Sequence, residues 1–201
     1  MIVEFIGPNG VGKRSVIHLL SQIHPGEAIA VDLLRESPTL TKLQALTNNP
    51  KLWAQVTRET QRRQLMSLIP RDAALGRFDV SESLVLIDEG PRHGLLSSTA
   101  AGRVEGFKRI CRAMRTPDRI VSLEASVEDL VIRLRQKHSS HWAHRLGHED
   151  LSLRLNRYSH FQEELLRDLK VPIHQVDTSN LAPADVAERI LLVLAQEEST
   201  T

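Results

Sequence analysis

Cysteine is almost missing: Cys111 is the single one in 201 residues, so no disulfide can close within the chain. That excludes a disulfide-stapled secreted fold and fits a reducing compartment. Aromatic residues are scarce too, at 3 %, so the core has to be built from Leu, Ile, Val and Ala. An excess of charge of one sign is absent, with 26 Lys and Arg against 25 Asp and Glu. This removes the global basic signature of a nucleic-acid binder and leaves only local patches. No apolar run approaches the roughly 20 residues that cross a bilayer. The opening Met1-Ile2-Val3-Glu4-Phe5-Ile6 is too short, and at Glu4 too acidic, for a secretion signal. The expectation is a cytoplasmic protein with no membrane partner. Hydrophobic residues at 41 % and charged residues at 25 % give the balance of a globular chain, and the length suits one domain over residues 1–201.

Short apolar runs alternate with longer segments of helical period. Residues 2–6 read as a buried strand entering a glycine loop, and residues 11–23 as a helix with Val16, Ile17, Leu19 and Leu20 on its apolar face. Residues 28–31 form a second strand ending at Asp32. Two helical stretches follow, the second near 52–68 with Gln61, Arg62, Arg63 and Gln64 exposed to an acceptor or to water. Residues 84–87 are the clearest strand, running into Asp88-Glu89-Gly90-Pro91. Helices at 104–114 and 127–136 flank a strand at 120–123. A helix near 151–169, a strand at 173–176 and a helix at 184–194 complete the chain. Five apolar strands separated by helices imply an α/β fold, a parallel sheet with helices on both faces. Ligands of such sheets sit beyond the carboxyl ends of the strands, where Gly7, Asp32 and Asp88 fall.

Gly7-Pro8-Asn9-Gly10-Val11-Gly12-Lys13-Arg14-Ser15 reads Gly, four residues, Gly, Lys, after a strand and before a helix. Glycines let the backbone curl so that successive N–H groups point at one anion, and the helix dipole adds to their pull. Lys13 would reach the outer phosphates of a nucleoside triphosphate, ATP carried with Mg2+. The usual loop has Ser or Thr directly after the lysine to hold the metal. Here Arg14 stands in that place and the hydroxyl arrives one residue later, at Ser15.

With this loop the chain resembles the P-loop kinases of the nucleoside, nucleotide and polynucleotide kinase type. The resemblance implies a five-stranded parallel sheet in the order 2-3-1-4-5 with a helical lid over about 133–148. It assigns Mg2+ to Asp88 together with Ser15. Relatives often carry Asp-Arg or Glu-Arg where this chain has Asp88-Glu89, so the phosphate-facing arginine is missing there or replaced by Arg92. Asp32 begins Asp32-Leu33-Leu34-Arg35, similar to the Asp-x-x-Arg element of polynucleotide kinases. That similarity makes Asp32 the general base for an acceptor hydroxyl and Arg35 a holder of the acceptor, sensible roles for a carboxylate and a guanidinium. The plainer reading has Asp32 cap a turn and Arg35 face water.

The stretch from Ser126 to Lys137 resembles the helix entering the lid of nucleoside-monophosphate-kinase-like enzymes. By that resemblance Arg133, Arg135 and Arg145 are candidates for the transferred phosphoryl group or the acceptor, with Arg154 and Arg157 following. His138, His141, His144 and His148 lack the cysteines or tight pairs of a structural zinc site, and Trp142 can either stack on a base or pack on its own helix. The activity expected is transfer of the ATP γ-phosphoryl group to a hydroxyl of a nucleoside, nucleotide or DNA acceptor. Small bacteriophage kinases acting on 5-hydroxymethyluracil in DNA belong to the resemblance. The alternatives are a thymidylate- or adenylate-kinase-like nucleoside monophosphate kinase and a non-enzymatic nucleotide-dependent switch.

Overall fold

Strand residues alternate between two apolar layers. In β1 (Ile2–Ile6) Val3 and Phe5 enter one core, while Ile6 enters the core on the opposite face. The same two-residue period places Leu84 and Leu86 of β3 (Leu84–Asp88) with the first core, and Val121 and Leu123 of β4 (Arg119–Glu124) beside them. The computed structural model describes residues 1–32, 72, 83–102, 107–138 and 140–198. With β2 (Ala28–Asp32) and β5 (Ile173–Asp177), the strands form one sheet in the order β2-β3-β1-β4-β5, every neighbouring pair parallel. This is the expected architecture and the expected order.

Helix α1 (Lys13–Ile23) follows the loop after β1 and packs Val16, Ile17 and Leu20 into the first core. Helices α2 (Pro91–Ala100) and α3 (Phe107–Ala113) follow β3 and cover the other face with Leu95, Leu96 and Ile110. Helix α4 (Val127–Arg135) follows β4, α5 (His148–Asp168) precedes β5, and α6 (Pro183–Glu198) lies against α1. Each fully buried Leu, Ile or Val contributes about 1.5–3 kcal/mol, so the two layers supply the driving force that the few aromatics do not.

Two features differ from expectation. Between α4 and α5 the chain is mostly turn, with one 3-10 turn at Trp142–Arg145, so the segment read as a helical lid is not a continuous helix. Its polar, histidine-rich sequence offers no apolar stripe to hold a longer one. Glu4, in the middle of the central strand, is fully buried and paired with Arg92 at 2.8 Å. The strands flanking β1 all end on an acid: Asp32, Asp88, Glu124 and Asp177.

Candidate active site

Where β1 stops, the backbone turns through Gly7, Gly10 and Gly12, at φ 150°, 91° and 97°. Gly12 caps α1 in the left-handed region, where a side chain would be strained even though nothing lies near its missing Cβ. Helix α1 has no acid in its first turn and no side-chain cap, so its first N–H groups are left to an anionic ligand. By contrast, Ser126 caps α4 with a 3.1 Å bond from the Asp129 N–H, and Glu128 and Asp129 fill that first turn.

Lys13 is buried and folds back on the loop, donating to the carbonyls of Gly7 (2.8 Å) and Pro8 (3.4 Å). Burial lowers its ammonium from 10.5 to about 8, while Glu89 and then Asp88 pull it back up. A cavity of about 550 Å³ opens in front of it. The loop from Asn9 to Ser15, Val11 excepted, forms one wall; Asp88 and Glu89 form another, and Lys137 and His141 close it. A second cavity of about 430 Å³ runs from Arg14, Ser15 and Asp88 to His18, Ala30 and Val31, beside the end of β2. The two cavities share Arg14, Ser15 and Asp88.

Asp88 is buried at the end of β3 and both its oxygens are engaged. Oδ1 accepts the Glu89 N–H at 3.0 Å, and Oδ2 lies 3.3 Å from Arg14 Nε. Asp32 is the register partner of Asp88 across the β2–β3 ladder, so the two acids end neighbouring strands side by side. Arg35, the helix expected near 52–68 and Gln61, Arg62, Arg63 and Gln64 lie outside the described residues.

The arginines expected over the phosphates are held elsewhere. Arg133 donates to Thr178 Oγ1 and to the carbonyls of Thr178 and Ser179, and Arg135 to the carbonyls of Ala143 and Leu146. Each reaches from α4 to backbone carbonyls of a neighbouring turn, and neither lines the cavity. Lys137 and His141, one and two turns further along, line it instead. Arg145 is exposed on the 3-10 turn, and Arg157 is exposed on α5. Arg154 lies over the Trp142 ring at 4.2 Å, so that ring face is already covered. Arg92 does not replace the missing arginine beside Asp88: its guanidinium points away, to Glu4 and the Arg115 carbonyl.

Sequence reasoning overlooked Glu89, His93 and Tyr158. Glu89 adopts φ 56°, an uncommon conformation for a residue with a side chain. Its carboxylate lies 3.2 Å from His93 Nε2, and His93 Nδ1 lies 2.8 Å from the Tyr158 hydroxyl. A charged residue inside a buried strand, Glu4, signals a buried cation elsewhere, met by Arg92, and nothing of that kind marks these three residues.

The donors on the cavity fit a hard cation such as Mg2+: carboxylate oxygens of Asp88 and Glu89 and the hydroxyl of Ser15, all oxygen. Among the described residues no group of three or more His, Cys, Asp or Glu could hold a metal ion by itself. A cation here would therefore be completed by phosphate and water oxygens, as Mg2+ commonly is. No helix among the described residues is long and apolar enough to cross a membrane.

No family model and no curated protein matches the sequence. Solved structures do match in fold. Deoxyadenosine kinase from M. mycoides with products dCMP and a flexible dCDP bound aligns with a TM-score of 0.64 at 15 % identity, over 98 % of this chain and 99 % of that one. The same enzyme with bound dATP gives 0.62 at 16 % identity, over 97 % and 99 %. Thymidylate kinase from Candida albicans gives 0.62 at 11 % identity, over 98 % and 92 %. At these identities the likeness is one of fold, and along nearly its whole length the chain has the fold of these nucleoside and nucleotide kinases.

Proposed function

We propose that the protein is an ATP-dependent phosphotransferase acting on a nucleoside or nucleotide. The observation that carries this reading is the pair of cavities meeting at Asp88: one faces the glycine loop and Lys13, the other the end of β2. A triphosphate in the first would present its terminal phosphoryl group toward an acceptor in the second, which is the arrangement that in-line transfer requires.

In this reading the loop residues Gly7 to Ser15 cradle the phosphates through backbone N–H groups, with Lys13 neutralising the outer charge. Asp88 and Ser15 hold Mg2+, which would supply a counter-charge for the phosphoryl group. Asp32, neighbour of Asp88 across the ladder, is the base that takes the proton from an acceptor hydroxyl. Arg35 steadies the acceptor. Lys137 and His141 take the place expected of Arg133 and Arg135 over the phosphates. The fold neighbours act on deoxyadenosine and thymidylate, which supports an acceptor of nucleoside or nucleotide size. A DNA acceptor carrying 5-hydroxymethyluracil gains no support from them.

A second acceptor reading, a nucleoside monophosphate kinase, is favoured by the thymidylate kinase likeness. It needs no general base, because the attacking phosphate oxygen is already charged. Incubation with Mg2+ and γ-labelled ATP against a panel of deoxynucleosides and their monophosphates decides between the two. Label on a nucleoside hydroxyl, reduced about 10²-fold or more by Asp32→Asn, supports the hydroxyl kinase. Label on monophosphates, indifferent to Asp32→Asn, assigns the second reading. Tight ATP binding with no transfer to any acceptor would remove both and leave a nucleotide-dependent switch.

A further inference from the structure

Four groups link the two walls of the phosphate cavity through the interior of the protein. The Gly7 N–H donates to the Tyr158 hydroxyl at 3.3 Å. The Tyr158 oxygen lies 2.8 Å from His93 Nδ1, and His93 Nε2 lies 3.2 Å from Glu89 Oε2, with the Ser97 hydroxyl at 3.4 Å from the same nitrogen. His93 and Tyr158 are both buried.

With a neutral His93 ring, the two ends of this chain fix the direction of the hydrogen bonds between them. An amide N–H can only donate and a carboxylate can only accept. The Tyr158 oxygen therefore accepts from Gly7, and its own proton goes to His93 Nδ1. That nitrogen is then the bare one, and the ring proton sits on Nε2, pointing at Glu89. Glu89 sits at φ 56°, an uncommon conformation for a residue with a side chain, which persists where surrounding contacts over-determine it. The His93 bond is such a contact.

Glu89 lines the phosphate cavity next to Asp88, so two adjacent carboxylates face it. We propose that His93 and Tyr158 are positioning residues that hold the Glu89 carboxylate toward the phosphate cavity, where with Asp88 it forms a two-carboxylate seat for the divalent cation accompanying the nucleotide. This rests on the nucleotide-binding part of the proposed function and not on the identity of the acceptor. Tyr158 and His93 touch neither nucleotide nor metal. They act through Glu89, with the Gly7 amide as the far anchor of the chain.

The test is a double-mutant cycle on nucleotide binding. Affinity for a non-hydrolysable ATP analogue is measured by calorimetry with and without Mg2+, in the absence of any acceptor, for wild type, Glu89→Ala, Tyr158→Phe and the double variant. His93→Asn replaces Tyr158→Phe if the latter fails to fold, and melting temperatures are recorded alongside. A coupled chain predicts that Tyr158→Phe lowers affinity about tenfold with Mg2+ and little without it. In the Glu89→Ala background the same substitution should change affinity by less than about twofold, because its route to the cation is already gone. Equal effects in both backgrounds, or a lowered melting temperature with unchanged Mg2+-dependent affinity, would overturn the proposal. A wild type that binds the analogue but phosphorylates nothing would remove the kinase reading and leave this inference standing.

Discussion

Arg14 Nε stands 3.3 Å from Asp88 Oδ2, joining the residue after the loop lysine to the acid that ends β3. A guanidinium thus sits on the carboxylate that a divalent cation would use, at the position where related loops carry a hydroxyl. Arg14→Thr removes the competing cation and restores that hydroxyl. The Mg2+ concentration giving half-maximal binding of an ATP analogue should fall several-fold, in line with the roughly 1 kcal/mol an exposed ion pair contributes. A magnesium titration at fixed analogue concentration checks this. An unchanged or higher requirement would show that Arg14 does not compete for Asp88.

Glu4 and Arg92 form the buried ion pair under the site, and the pair is asymmetric to mutation. Glu4 Oε2 meets Arg92 Nη1 and Glu4 Oε1 accepts the Arg92 N–H, each at 2.8 Å. Glu4→Gln leaves a fully buried guanidinium without its counter-charge and should destabilise the fold by about 3–5 kcal/mol. Replacing both residues by Leu removes both charges and should recover at least half of that loss. Urea unfolding of the three proteins provides the comparison, and a double variant as unstable as Glu4→Gln would contradict it.

Two glycines near the site should fail for opposite reasons. Gly90 has an ordinary φ of −61°, yet a Cβ there would lie 2.7 Å from Glu4 Cδ. Gly90→Ala should therefore cost about 1–3 kcal/mol through overpacking, and much less when added to a Glu4→Ala chain, which has already lost the obstructing side chain. Gly12 has open space around its missing Cβ but sits at φ 97°. Gly12→Ala should strain the loop in a way no second substitution nearby relieves. Melting temperatures of Gly90→Ala, Glu4→Ala, their double variant and Gly12→Ala separate the cases.

Cys111 should be silent toward thiol reagents while the protein is folded. It is buried between α2, α3 and α5, and burial raises its thiol from 9.0 to about 12. At pH 8 only about one thiol in 10⁴ would be ionised, and the thiolate is the reactive form. The folded chain keeps this proton when the unfolded chain loses it. The contribution to stability is thus complete below about pH 9 and falls as pH rises from 9 toward 12. Iodoacetamide labelling that tracks global unfolding would agree; rapid labelling at pH 8 without unfolding would not.

The sheet was readable because each strand is a short apolar run bounded by turn residues, and the loop because its glycines stand where the backbone takes positive φ. What escaped reading was set by contacts rather than by local pattern. Arg133 and Arg135 look like their counterparts in a phosphate-facing lid, but carbonyls of the loop at 178–179 and of residues 143 and 146 capture them. Nothing in the sequence around an arginine tells which carbonyl it will reach. Likewise Gly7 and Tyr158 are 151 residues apart, and a tyrosine on an amphipathic helix reads as core until its hydroxyl is traced. Arg92 reads in the sequence as one possible replacement for the arginine missing beside Asp88, although the buried Glu4 has the stronger claim on it.

The acids that end all four strands beside β1 shape which ligands can approach. Among the described residues, Lys13 and Arg14 of the loop stand beside a rim of strand ends that carry acids. A long polyanion laid across that rim would gain at the loop and be repelled on both sides of it, whereas a short, metal-neutralised ligand meets only the favourable centre. On the proposed function, such a rim would favour short charged ligands over long ones, before any base or sugar is read.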